Sequence, residues 1–157
     1  MTLNQIVSRL QALALSHSQI KFVYYNNMVE FMKNGEVIYP ALFIEHPKTK
    51  ISTTEHQTKH SFTIWICDLL NTAGGAMGNQ NEVESDITSI AEDYIAMISS
   101  YLFQDTWTVS TEFNVQFYAE QFTDYVGAVA FDVEISSDFL NDRCQIPTNS
   151  PGLFIES

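Results

Sequence analysis

Between Lys59 and Arg143 the chain contains neither lysine nor arginine. Seven basic residues stand against 19 acidic ones in the whole molecule, for a net charge of −12 at pH 7. Proteins that hold nucleic acid neutralise phosphates with clustered Lys and Arg, and this composition argues against that class. Cysteine is scarce too. Cys67 and Cys144 are far apart, which speaks against a disulfide framework or a zinc site and for buried or half-buried free thiols. No apolar run approaches the roughly 18–20 residues that cross a bilayer, so no membrane span is expected. Met1-Thr2-Leu3-Asn4 lacks the basic head and apolar core of a signal peptide, and a cytoplasmic origin is the expectation.

What is present is a globular composition. With 45% hydrophobic and 13% aromatic residues over 157 positions, one domain with a real core is expected. The most regular stretch is Thr106–Asp138. Trp107–Ala119 and Val126–Ser137 read as two strands joined by a turn near Phe122–Tyr125. In the first, Val109, Thr111, Phe113, Val115 and Phe117 alternate with polar residues. In the second, Val129, Phe131, Val133 and Ile135 do so, leaving Asp132 and Glu134 on the other side. A period of two means one buried and one wetted face of an antiparallel sheet.

Two helices precede this stretch. Thr2 with Gln5 makes a capping-box pattern, and Leu3, Ile6, Val7, Leu10, Leu13 and Ala14 follow at helical spacing to about Leu15. His17 reads as a cation at the helix C-terminus or a plain surface residue. The second helix is capped by Asn79 or Asn81, with Glu82, Glu84 and Asp86 at the end that favours anions. Val83, Ile87, Ile90, Tyr94, Met97, Ile98 and Tyr101 form its buried stripe. Between the helices lie a short strand within Gln19–Tyr25, one or two helical turns at Met28–Lys33 and a turn at Asn34-Gly35. A strand follows at Val37–His46, with Pro40 restricting it to a strand start or a sheet edge. Pro47–Ser61 is polar and basic and predicts the tip of a long hairpin returning through Phe62–Asp68. Asn141–Ser157 has no periodicity. After Pro147 and Pro151 it ends in the apolar triplet Leu153-Phe154-Ile155, the pattern of an arm that lies on a surface. Residues 1–140 are therefore read as a single α+β domain and 141–157 as an extended C-terminal arm.

Chemistry is harder to find. His56 and His60 stand four apart, but Glu55 precedes the first His instead of following it, and the segment is hairpin-like, so a zinc-protease helix is excluded. Gly74, Gly75 and Gly78 lack the Lys-Ser/Thr of a phosphate loop and the spacing of a dinucleotide fingerprint. Asp132 and Glu134 share a strand face, and a small hydrolase using that pair is the weakest of three readings. Charge distribution is more informative. Lys33, Lys48, Lys50 and Lys59, with three histidines, precede the interval without bases, which holds fourteen carboxylates. That split suits either a solvated acidic surface or a two-signed molecule whose basic arm docks on an acidic face of its neighbour.

The order of elements, with Leu3-Asn4-Gln5-Ile6-Val7, Tyr39-Pro40-Ala41-Leu42-Phe43-Ile44-Glu45 and Val129-Ala130-Phe131-Asp132-Val133-Glu134-Ile135, resembles tail-completion or tail-terminator proteins and neck-ring proteins of tailed bacteriophages. The motif Asn141-Asp142-Arg143-Cys144-Gln145-Ile146-Pro147 is similar to that of hypothetical proteins of gut bacteroidete phages of crAss-like type. The resemblance covers most of the chain to about Pro147, on core pattern rather than chemistry. It implies an antiparallel β-sheet packed against two helices, and a non-enzymatic virion protein without metal or cofactor. That protein would be a subunit of a six- or twelve-fold homo-oligomeric ring at the head–tail connector or tail, through which DNA passes. Its partners would be further copies, the portal, other neck-ring proteins or the tail tube. On that reading Lys48, Lys50, His56, Lys59, Leu153, Phe154 and Ile155 belong to the subunit interface. Glu112, Asp132 and Glu134 then belong to a lumen or acidic face. The runner-up is a soluble dimeric binding or assembly adaptor of the phage that is not retained in the virion.

Overall fold

Thr2 caps the first helix in the expected way. In a computed structural model, which describes residues 2–25, 37–70, 80–100, 107–121 and 125–138, the Thr2 hydroxyl accepts from Gln5 N at 3.2 Å. Thr2 N in return donates to the Gln5 amide oxygen at 2.9 Å. The reciprocal pair satisfies two amide groups that the first turn cannot bond internally. Helix α1 then runs Leu3–Ser16 and buries Ile6, Val7, Leu10, Leu13 and Ala14. Helix α2, Gln80–Ile98, buries Val83, Ile87, Ile90, Ala91, Tyr94 and Ile98, while Met97 is only partly covered.

Among the described residues, six strands make one sheet: β1 Phe22–Tyr25, β2 Ala41–Ser52, β3 Gln57–Leu69, β4 Thr108–Val109, β5 Gln116–Gln121 and β6 Tyr125–Asp138. Their order is β1-β2-β3-β6-β4, with β5 on the same side of β6 as β4. The β1–β2 pair is parallel, and the other described pairs are antiparallel. The fold is thus α+β, a mostly antiparallel sheet packed against two helices. Both helices lie on one face. Leu42, Ile44, Phe62, Ile64, Ile66, Val129, Phe131, Val133 and Ile135 meet them there in a single core. Each fully buried Leu, Ile or Phe in such a layer contributes about 1.5–3 kcal/mol relative to exposure. The helices are tied together as well as packed. Tyr94 Oη donates to Leu10 O at 2.9 Å in the core, and His17 Nε2 lies 2.9 Å from Asp93 Oδ2 at its rim. His17 is therefore the C-cap of α1 and a bridge to α2. Its Nδ1 accepts from Gln19 N at 3.2 Å, which leaves the proton on Nε2, facing Asp93.

Two strand boundaries differ from expectation. Pro47–Ser61 is not a loop: Lys48 to Ser52 pair with Ser61 to Gln57, so the hairpin is β-structure down to a four-residue turn, 53–56. The polarity that suggests a loop belongs to paired strand residues that are exposed or half-buried from Lys48 to Lys59. The second difference is the stretch Trp107–Ala119, which is two strands and not one. From Val109 to Gln116 the chain advances seven positions, while the partners Ile135 to Ala130 span five. Ser110 explains the break: its amide donates to Glu134 O at 3.0 Å, and its hydroxyl, not its carbonyl, accepts from Glu134 N at 3.2 Å. The two surplus residues leave the ladder, so Thr111 and Val115 face water, Val115 with 38% of its surface exposed. Val109, Phe113 and Phe117 keep the inward role, Phe113 edge-on to Phe131 at 6.1 Å.

The turns expected at 28–35, the glycine-rich stretch 71–79, the turn after Gln121 and the C-terminal arm lie outside the described residues. With them lie Tyr101, Cys144, Leu153, Phe154 and Ile155.

Candidate interaction surface

The face of the sheet opposite the helices has two halves. Toward β1 it is apolar: Phe22, Tyr24, Ala41, Phe43, Trp65, Cys67, Val126 and Ala128 cluster there. Phe22 and Tyr24 stack at 6.4 Å, and Phe43 meets both rings. Burial in this cluster raises the Cys67 thiol to about 12, with Asp68 adding to the effect, so the group stays a protonated, inert thiol. Toward the hairpin tip the same face is charged, and cross-strand register orders it into rows. Glu45, Thr63 and Asp132 share one row. Lys48, Ser61 and Glu134 share the next, and Lys50, Lys59 and Ser136 the third. Rows on one face are two residues apart, about 7 Å, and strands about 5 Å.

A β-bulge puts Lys48 and Lys50 on this face. Glu45 pairs with Thr63 and Lys48 with Ser61, so β2 uses three steps where β3 uses two. One extra residue reverses the alternation. Odd-numbered side chains face outward up to Glu45, and Lys48 and Lys50 face outward after it. The bulge falls at His46-Pro47, where the proline has no amide to give to a ladder. His46 turns to the helix side, 5.0 Å from the Phe62 ring and 5.5 Å from that of His60. Thr49 Oγ1 bridges the two imidazoles, at 2.9 Å from His46 Nε2 and 2.8 Å from His60 Nδ1. His60 is 6% exposed, and burial, then the neighbouring His46, lower its proton affinity.

On the outer face, Lys59 is neutralised by Glu55, while Lys48 and Lys50 form no ion pair among the described residues. The described ion pairs are His17–Asp93 and Lys59–Glu55, the latter at 3.2 Å; neither joins Lys48 or Lys50 to a carboxylate. Lys50 lies directly opposite Lys59, a like-charge pair that opposes folding. Asp132 accepts from the Thr63 hydroxyl at 2.8 Å. Glu45 is half-buried, and burial raises its carboxyl above the ordinary range. The buried indole N–H of Trp65 has no partner in good hydrogen-bonding geometry, yet lies near enough to Glu45 to offset part of that rise.

Five of the residues singled out from the sequence come together here: Lys48, Lys50 and Lys59 with Asp132 and Glu134. The basic and acidic groups, expected on separate surfaces, adjoin on one sheet face. His56 stands apart in the turn, with a left-handed backbone at φ 55°. Glu112 sits in the segment that leaves the ladder and is exposed. Asp132 and Glu134 do share a face, while His46 and His60 are on the opposite one. Glu45, Ser61 and Thr63 belong to the surface and escaped notice; the alternation Ser61, Thr63, Trp65 against Phe62, Ile64, Ile66 was the available signal. No protein-family model matches the chain, and no curated protein is found similar to it.

Proposed function

We propose that this protein is a non-enzymatic assembly subunit, one copy of a homo-oligomeric ring at the head–tail connector or tail of a tailed bacteriophage. The observation that carries the reading is the outer sheet face, where exposed lysines and carboxylates lie side by side without ion pairs between them. Buried or contacted by another subunit, such groups gain partners that the isolated chain does not give them. On the face opposite the helices, the half toward the hairpin tip carries the exposed Lys48, Lys50, Asp132 and Glu134, which can meet a neighbour. Ring closure uses one surface against a different one, and a basic corner meeting an acidic corner fits that rule. Carboxylates toward a lumen would let DNA slide, since they offer phosphates no counterion release. Portal, neck-ring or tail-tube proteins are the expected neighbours.

Mass photometry of the purified chain, alone and with a portal or tail-tube partner, tests the reading. A closed particle of six or twelve copies supports it. A chain that never exceeds two copies with any such partner favours the dimeric adaptor instead. Loss of a catalytic turnover on replacing Asp132 and Glu134 by Ala would contradict a structural role.

A further inference from the structure

Beyond Ile44, strand β2 has an open side. β1 ends at Tyr25, paired with Ile44, and no described strand continues beside β2 from Glu45 to Ser52 on the side away from β3. Lys48, Thr49, Lys50 and Ile51 are exposed there, Ile51 with 57% of its surface. In an antiparallel ladder every second residue turns its N–H and C=O away from its partner. This edge therefore offers backbone donors and acceptors to a further strand. Its side chains alternate in kind as well as direction. Lys48 and Lys50 point to the outer face, opposite Ser61 and Lys59, while Thr49 and Ile51 lie on the helix side, opposite His60 and Thr58. The edge is also held in shape. The Thr49 hydroxyl lies 2.9 Å from His46 Nε2 and 2.8 Å from His60 Nδ1, which fixes the facing of the strand between the two lysines.

The charges decide which strand fits. Antiparallel pairings of two such edges that centre on Thr49 or Lys50 set lysine against lysine, and lysine on an open edge guards against that pairing. The same residues favour a strand with carboxylates at alternate positions, because each then falls about 5 Å from a lysine on the shared face. Lys50 gains most from it. Its neighbour on β3 is Lys59, which already has Glu55 at 3.2 Å. Lys48 shares a row with Glu134, but two strands lie between their positions, about 10 Å. Glu45 is half-buried on the far side of the bulge. At 0.1 M ionic strength a charge is screened over about 10 Å, so the two lysines dominate the field at the edge despite the molecule's −12. Residues between the incoming carboxylates fall beside Thr49 and Ile51, where apolar side chains cover Ile51.

We propose that the open edge of β2, from Lys48 to Ser52, receives an extended acidic segment of a partner protein as an added strand. The pattern it takes is carboxylates two residues apart with β-branched or other apolar residues between them. Main-chain hydrogen bonds hold the segment, and Lys48 and Lys50 select it against a second copy of the same edge. The inference rests on the assembly reading only for why such a partner exists.

The test uses the full chain and a blocked, fluorescein-labelled peptide of sequence Glu-Val-Glu-Val-Glu-Val. Its control is Glu-Glu-Glu-Val-Val-Val, equal in charge and composition but without the alternation. Fluorescence polarisation should show the alternating peptide binding about tenfold or more tightly than the control. Lys48→Glu combined with Lys50→Glu should lower its affinity about tenfold or more, as like charges in contact do, and Lys48→Arg with Lys50→Arg should keep it. Circular dichroism melting confirms that the variants fold. Amide hydrogen exchange supplies the readout that charge attraction alone does not move: peptide binding should slow alternate amides between Lys48 and Ser52. Equal binding of the two peptides, binding without that slowing, or no binding of either overturns the proposal and leaves a ring seen by mass photometry standing. A chain that binds the alternating peptide with slowed amides supports the added strand, even where no ring forms and the ring reading fails.

Discussion

At the scale of single residues, the informative positions are those where a side chain works against its surroundings. His56 holds a left-handed backbone at φ 55° that costs a non-glycine residue roughly 1 kcal/mol. His56→Gly should therefore raise the urea midpoint, corresponding to a gain of a few tenths to about 1 kcal/mol. An unchanged or lower midpoint would mean that other contacts of the imidazole outweigh the strain. Tyr94 is the opposite case. Its hydroxyl, fully buried and held protonated by that burial, bonds Leu10 O across the two helices. Tyr94→Phe should cost about 1 kcal/mol of stability, read by the same denaturation. His60 supplies a pH dependence. Burial lowers its folded-state affinity below the unfolded value of about 6.5, so below that pH the unfolded chain binds more protons. Stability should then fall as pH drops from about 6.5 toward the lowered folded value. Glu45 and Asp68 carry raised affinities and oppose this trend in the carboxylate range. The difference between wild type and His60→Asn, measured at pH 7.5 and 5.5, isolates the histidine: the variant should lose less stability on acidification.

At the scale of elements, periodicity made most of the fold legible. Both helices, the antiparallel sheet and the inward set Val129, Phe131, Val133 and Ile135 follow from spacing alone, because a two-sided sheet and a one-sided helix leave clear marks. What escaped were places where a side chain rewrites the backbone ladder. The Ser110 hydroxyl takes the Glu134 amide that its own carbonyl would otherwise receive, and nothing in a hydropathy pattern announces that. The bulge at His46-Pro47 is the same kind of event, and the surface depends on it. Deleting Pro47 removes the extra residue, so simple alternation returns with Lys48 and Lys50 still facing outward opposite Ser61 and Lys59. Such a variant should keep both its strand content by circular dichroism and its self-association. Lost self-association would show that the local kink of the bulge, and not only the lysines on β2, shapes the contact. Charge order along the chain separates Lys48–Lys59 from Asp132–Glu134, and the β2–β3 and β3–β6 pairings bring them onto one sheet face.

At the scale of the molecule, a sheet with both helices on one side has an asymmetric exterior. One exterior surface is ordinary helix, and the other is a charged, unpaired strand surface next to an aromatic cluster. Association through such a surface should be salt-sensitive, because exposed charges are screened over about 10 Å at 0.1 M ionic strength. Raising salt from 0.05 to 0.5 M (round values on the order of the screening range) should shift the oligomer toward smaller species. The C-terminal triplet Leu153-Phe154-Ile155 belongs to this scale by its sequence: deletion of Leu153–Ser157 should weaken assembly and leave monomer melting nearly unchanged. Equal loss of both would assign the triplet to the chain's own core.

The central claim is that this chain is a building unit whose charged sheet face meets other subunits. A cryo-EM class average of the purified chain with a phage portal or tail-tube protein tests it most directly. The account predicts a closed ring in which Lys48, Lys50 and Lys59 of each subunit lie against a neighbouring chain. A ring whose lumen is lined by those lysines, or a particle that leaves the whole face bare to solvent, would contradict it.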